Sequence, residues 1–171
     1  MDYLQLVPLT LNHVNSGFVA GTTNTLTSTV ATTTSIRGKF SASLGVLTNS
    51  ATTPTTDAVT GAAFIPLVST TAAGGQTCVL LFGVNAAGAI KMAQGPIIPT
   101  ELGVTTTPGA FILAPQFPPV PDDFCPVAYT VVRTSPTGNS FTPGTTSWAA
   151  SGITCSTFKN ISSLPDRPQI A

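Results

Sequence analysis

The chain has 171 residues, of which six are Lys or Arg, six are Asp or Glu and one is His, so its net charge is zero and charged residues make up only 7%, against roughly a quarter in an ordinary soluble protein. The basic residues Arg37, Lys39, Lys91, Arg133, Lys159 and Arg167 stand singly, which argues against nucleic acid and anionic membranes, since both are bound by neutralising several charges together. With a mean hydropathy of +0.36 and no run near the ~18 apolar residues of a membrane span, the composition fits a structural subunit largely covered by other protein, with Thr and Ala filling surface-type positions.

The chain opens MDYLQLVPLTLNHV and has no Lys or Arg before Arg37. The basic start of a secretory signal is therefore missing, and synthesis in a cytoplasm is expected. Residues 21–34 (GTTNTLTSTVATTT) form a biased tract. It reads either as a flexible linker or as β-structure, because Thr is β-branched. An extended N-terminal arm over residues 1–34, lying on a neighbouring subunit, accommodates both. The plainer alternative for the opening segment is an edge strand packed on its own domain.

Residues 35–47 (SIRGKFSASLGVL) predict at least one strand and a kink at Gly38, and residues 50–60 (SATTPTTDAVT) are a second biased tract. Residues 77–84 (TCVLLFGV) and 89–93 (AIKMA) flank Asn85-Ala86-Ala87-Gly88 and predict a hairpin. Residues 114–126 (APQFPPVPDDFCP) hold five prolines, which cannot donate ladder hydrogen bonds. An extended crossover pinned by Phe117 and Phe124 is expected there. Residues 127–133 (VAYTVVR) predict a strand, residues 134–140 (TSPTGNS) a turn, and residues 152–161 (GITCSTFKNI) a further strand beyond Pro143-Gly144 and Trp148. No helical period lasts three turns, and fifteen Gly and fifteen Pro punctuate the chain. The sum is an all-β fold: a mostly antiparallel β-sandwich or barrel over residues 35–171, with the arm before it and few helical turns.

Residues able to carry chemistry are few. His13 is the only His, and no G-x-S-x-G elbow accompanies it. Asp122 and Asp123 are adjacent, so on extended chain their carboxylates point apart. They read as a turn after Pro121 rather than as the facing pair of a glycosidase or a calcium loop, which needs six or more oxygens. Gly74-Gly75 lacks the Lys of a phosphate loop. Cys78, Cys125 and Cys155 form an odd set without C-x-x-C spacing and are expected to be small buried thiols. Asn160-Ile161-Ser162 is a chance sequon where no secretory signal is expected. Trp148, Tyr3 and Tyr129 read as core or interface anchors ahead of a sugar platform. Arg133 and Arg167 are expected to bond backbone carbonyls or Asp122, Asp123 and Asp166. No catalysis, cofactor or metal is expected.

The order DDFCPVAYTVVRTSPTGNSFTPGTTSW, then GITCSTFKNISSLPDRPQIA, preceded by TTDAVTGAAFIPL and FGVNAAGAIKMAQG, resembles a group of tailed-bacteriophage structural proteins. In these a CPxAYxVVR strand precedes a Gly/Ser-rich turn, an aromatic strand and a closing LPxRP. The similarity covers about residues 35–171. The resemblance implies a virion protein of the capsid decoration, or cement, type. Such a protein is made in the host bacterial cytoplasm, is often a homotrimer, and binds the major capsid protein outside the assembled head, at joints between capsid subunits. The expected contact residues are Tyr3, Leu4, Leu6, Val7, Leu9 and Leu11, with neither nucleic acid nor membrane as partner. The alternative is a tail or fibre component that grips a host surface receptor through loops such as residues 134–143.

Overall fold

The two segments richest in β-branched and apolar residues form the centre of the fold. The structure is a computed structural model that describes residues 10–36, 40–47, 51–69 and 74–169; among these there are twelve strands and no helix. In chain order the strands are β1 (Leu11–Asn12), β2 (Val19–Ala20), β3 (Thr25–Thr27), β4 (Thr32–Ile36), β5 (Phe40–Leu44) and β6 (Ala51–Thr52), followed by β7 (Gln76–Val84), β8 (Ile90–Gln94), β9 (Ile98–Pro99), β10 (Cys125–Thr134), β11 (Ile153–Cys155) and β12 (Lys159–Asn160). The main sheet runs β11-β10-β7-β8, with β12 also on β10 and β9 also on β7; two small sheets, β1-β4-β5 and β2-β3-β6, accompany it. Every strand pairing is antiparallel. Of the two expected architectures the sheets are sandwich-like, and among the described residues no barrel closes.

Strands β7 and β10 are buried along almost their whole length, so they read as continuous apolar runs rather than as alternating ones. The period of two persists in where the side chains go. On β7, Cys78, Leu80, Phe82 and Val84 join one core layer, while Val79 and Leu81 join the layer behind. On β10 the alternation slips at Val127, because a bulge lies between Pro126 and Ala128, and Val127 and Ala128 both enter the first layer. Gly83 faces Pro126 across this step. A Cβ there would stand 2.4 Å from the Phe124 ring, so the absence of a side chain lets that ring lie flat against β7.

The first layer is closed by Phe18 and Leu26 from the N-terminal region and by Phe64, Leu67, Phe141, Trp148 and Phe158. Phe82 is its hub, with ring centroids 5.2 Å from Phe18, 5.1 Å from Phe158 and 6.3 Å from Trp148. Each such ring, fully buried, contributes on the order of 1.5–3 kcal/mol. The second layer is covered by the proline-rich crossover, where Phe124 is buried and Phe117 packs edge-on to Tyr129 at 5.0 Å. The crossover is therefore pinned by the two expected aromatics.

Several expectations need correction. The region of residues 10–34 is part of the β fold: Phe18 and Leu26 are fully buried, and the boundary expected after residue 34 falls inside β4. Residues 152–161 form two short strands, not one, because Ser156 interrupts them by bonding Val131, donating its N–H to the carbonyl and accepting the Val131 N–H on its hydroxyl at 2.9 Å. Strand β10 begins at Cys125 and so contains Pro126, which the adjacent bulge accommodates. The expected hairpin forms, with Gly88 at φ 76° in its turn. Gly38 lies outside the described residues.

Threonine is not confined to the surface. Thr32, Thr34, Thr53, Thr77, Thr100, Thr130 and Thr134 are buried. The hydroxyls of Thr32, Thr53, Thr77, Thr130 and Thr134 donate to the carbonyls of Val14, Asn24, Val132, Ser156 and Val68. In a chain almost without charge, these hydroxyls satisfy backbone carbonyls, that of Val132 within the β7–β10 pair and the others in segments outside the strands.

Candidate functional site

Of the expected contact residues, Tyr3, Leu4, Leu6, Val7 and Leu9 lie outside the described residues. Leu11 is half-buried in β1, opposite Ser35 of β4. Beside it Asn12 donates its N–H to the Ser162 carbonyl at 2.8 Å and its side-chain amide to the Ile161 carbonyl at 3.1 Å. The chain is thus anchored to the β domain from Asn12 onward. His13 stays exposed, with Nε2 3.1 Å from the Ser35 hydroxyl.

Several other chemistry-bearing side chains are engaged in holding the fold. Asp123 accepts the Ala86 N–H at 2.7 Å, which ties the crossover to the β7–β8 turn. Arg133 donates to the Gly109 carbonyl at 3.3 Å and lies over the Phe111 ring at 4.8 Å, in line with the backbone contact expected of it; Arg167 is exposed. Trp148 is buried and donates Nε1–H to the Thr25 carbonyl at 2.9 Å, while the buried Tyr129 hydroxyl accepts the Gln169 N–H at 2.8 Å. Both aromatics therefore anchor the core. All three cysteines are free. Burial pushes the Cys78 thiol up to about 12, Cys155 to about 12 and Cys125 to about 11, so each stays protonated near neutrality and is a poor nucleophile. Among the described residues no group of three or more His, Cys, Asp or Glu could hold a metal ion.

What the surface does offer is apolar. A groove of about 820 Å³ lies between residues 57–68 and the β8–β9 edge, lined by Val59, Ile65, Val68 and Ile97 among others. Its polar side chains are turned to the backbone around them. The Asp57 carboxylate accepts the N–H groups of Val59 and Gln94, each at 3.2 Å, and the Thr60 hydroxyl at 3.1 Å. The Gln94 carboxamide accepts the Ile65 N–H at 2.9 Å and donates to the Ile65 carbonyl at 2.8 Å, and Gln76 accepts the Val68 N–H at 2.8 Å. The walls left facing outward are hydrocarbon, with Ile65 66% exposed.

Beyond β9 the chain makes a closed excursion. Thr100 bridges to Phe111, Glu101 donates its N–H to the Ala110 carbonyl at 2.9 Å, and the Thr107 N–H reaches the Val104 carbonyl at 2.8 Å. Leu102 and Val104 stand 68% and 76% exposed on it. Neither groove nor excursion was legible in the sequence, since Gln94 and Ile65 meet across 29 positions and an exposed Leu carries no motif. Among the described residues that build the groove and the excursion, the outward side chains are mainly apolar, an arrangement that suits contact with another apolar surface. In comparisons with known proteins, the chain matches no protein-family model, no curated protein and no solved structure.

Proposed function

We propose that this chain is a structural subunit of a tailed-phage virion, a decoration or cement protein that binds the outside of the assembled head and bridges joints between capsid subunits, with the major capsid protein as its partner. The observation that carries this reading is a sparsely charged surface bearing large exposed apolar side chains, Ile65, Leu102, Val104 and Leu113, on a chain whose thiols and several of whose polar side chains are committed to its own fold. Uncharged contacts avoid the desolvation cost of buried ions. A specific joint needs roughly 1,600 Å² of buried surface, and engaging several capsid subunits at once multiplies weak contacts. The resemblance over about residues 35–171 points the same way.

The test is co-sedimentation of purified protein with phage heads, full length against a form lacking residues 1–9. Truncation stops there because Asn12 and Ser16 bond the β domain, Ser16 through its carbonyl to the N–H groups of Thr29 and Val30. Full-length binding lost on truncation supports the reading and assigns the contact to Tyr3, Leu4, Leu6, Val7 and Leu9. Binding retained by the truncated form removes that assignment, and failure of the full-length chain to bind heads removes the reading.

A further inference from the structure

Arg133 is a cation held in place by neutral groups. It lies half-buried on β10 with Thr154 of β11 directly opposite, so the two side chains stand next to each other on one face of the main sheet. The guanidinium is fixed by the Gly109 carbonyl at 3.3 Å and by the Phe111 ring at 4.8 Å. Among the described residues no Asp or Glu is paired with it. A cation drawn partly out of water without an anion beside it is unfavourable, and an anion that arrives there recovers part of that cost.

The donors needed for such an anion are free. A guanidinium carries five N–H groups, and Gly109 takes one. No Arg133 nitrogen is both buried and unpartnered, so the remaining N–H groups open to the surface. They do so at a pocket of about 290 Å³ lined by Arg133, Phe111, Thr154, Ser156 and Thr157 among others. The Ser156 hydroxyl is committed to the Val131 N–H at 2.9 Å, whereas the Thr154 and Thr157 hydroxyls bond nothing among the described residues. Arg133 is the one charged residue among the described residues that line the pocket. One positive charge is matched by a carboxylate; a phosphate, at roughly −1.5 to −2, would leave negative charge unpaired.

We infer that this pocket binds a single carboxylate, carried by a small organic acid or by an acidic side chain of a partner protein. The free edge of the Arg133 guanidinium donates to the carboxylate oxygens, as the planar fork of an arginine does, and the Thr154 and Thr157 hydroxyls add donors at the rim. The site does not depend on the virion reading and uses none of the exposed apolar side chains that support it.

The experiment follows the Arg133 Nε–H resonance of the isotope-labelled full chain during titration with sodium acetate near neutral pH, the resonance being identified by its loss in Arg133→Lys. A saturable shift in the millimolar range is expected. Sodium chloride at the same ionic strength should not produce it. Thr154→Val, which keeps a β-branched residue at an exposed strand position, should weaken acetate binding about fivefold through the loss of one hydrogen bond. A second arm replaces acetate with a blocked tripeptide whose one ionised group is an aspartate side chain. Binding at least as tight as that of acetate identifies a partner's side chain as the ligand, and weaker binding identifies a free acid. A shift reproduced by chloride, tighter binding of inorganic phosphate than of acetate, or acetate binding unchanged in Thr154→Val would overturn the carboxylate site.

Discussion

Asn160 holds both backbone groups of Phe18, 142 positions away, accepting its N–H at 2.6 Å and donating to its carbonyl at 3.0 Å. The side-chain amide stands in for a neighbouring strand and fixes the buried Phe18 ring against Phe82 and Phe158. Gln94 does the same for Ile65 at the opposite edge of the main sheet. A chain with so few ions ties its long connections down with amides and hydroxyls.

Asn160→Ala should therefore destabilise the fold by about 2 kcal/mol, since it strands two backbone groups beside a buried side chain. Gln94→Ala should cost under about 1 kcal/mol, because the exposed Ile65 can pair with water instead. Urea unfolding of the two variants checks the ranking; equal losses would contradict it.

Gly83→Ala should cost at least about 2 kcal/mol, because the new methyl overlaps the Phe124 ring at 2.4 Å and the Cys125 carbonyl at 2.8 Å. Phe124→Ala should cost about 3–5 kcal/mol by itself. The double variant should lose less than the sum of the two, because removing the ring removes part of the overlap. Strict additivity in a double-mutant cycle would show that the ring and the glycine are not coupled.

The Cys78 thiol gives the fold a dependence on alkaline pH. Its value is raised from 9.0 to about 12 by burial, so its contribution to stability is complete below pH 9 and is lost as pH rises from 9 towards 12. Between pH 9 and pH 11 the loss from this one thiol is about 1.4 kcal/mol per pH unit at most. Unfolding midpoints of the wild type and Cys78→Ala, compared from pH 8 to pH 10, should converge as pH rises. A constant gap would contradict the assignment.

Trp148 is the single tryptophan, buried between Phe141, Phe158 and Phe82. Its emission should be blue-shifted and resistant to acrylamide in the native protein, then move to the red on unfolding. Ready quenching of the native protein would mean that this part of the core is open.

The parts of the fold legible in the sequence were those set by local signals. The β7–β8 hairpin followed from an apolar run and a turn ending in Gly88, and the crossover from prolines that cannot join a ladder. The Thr-rich region was ambiguous because Thr serves linkers and strands alike. Its placement is decided by Phe18, Leu26 and by hydroxyl bonds such as Thr53 to the Asn24 carbonyl, 29 positions apart. The apolar groove was hidden for a related reason: its shape depends on Asp57, Gln76 and Gln94 binding backbone far along the chain. Composition carried no sign of where exposed apolar side chains such as Ile65 and Leu102 gather.

The most direct test of the virion reading is cryo-electron microscopy of tailed-phage shells, bare and after incubation with the purified protein. The account predicts ordered added density on the outside of the head, at the joints between capsid subunits. Shells that remain bare, with density for this chain at the tail of the intact virion instead, would contradict it.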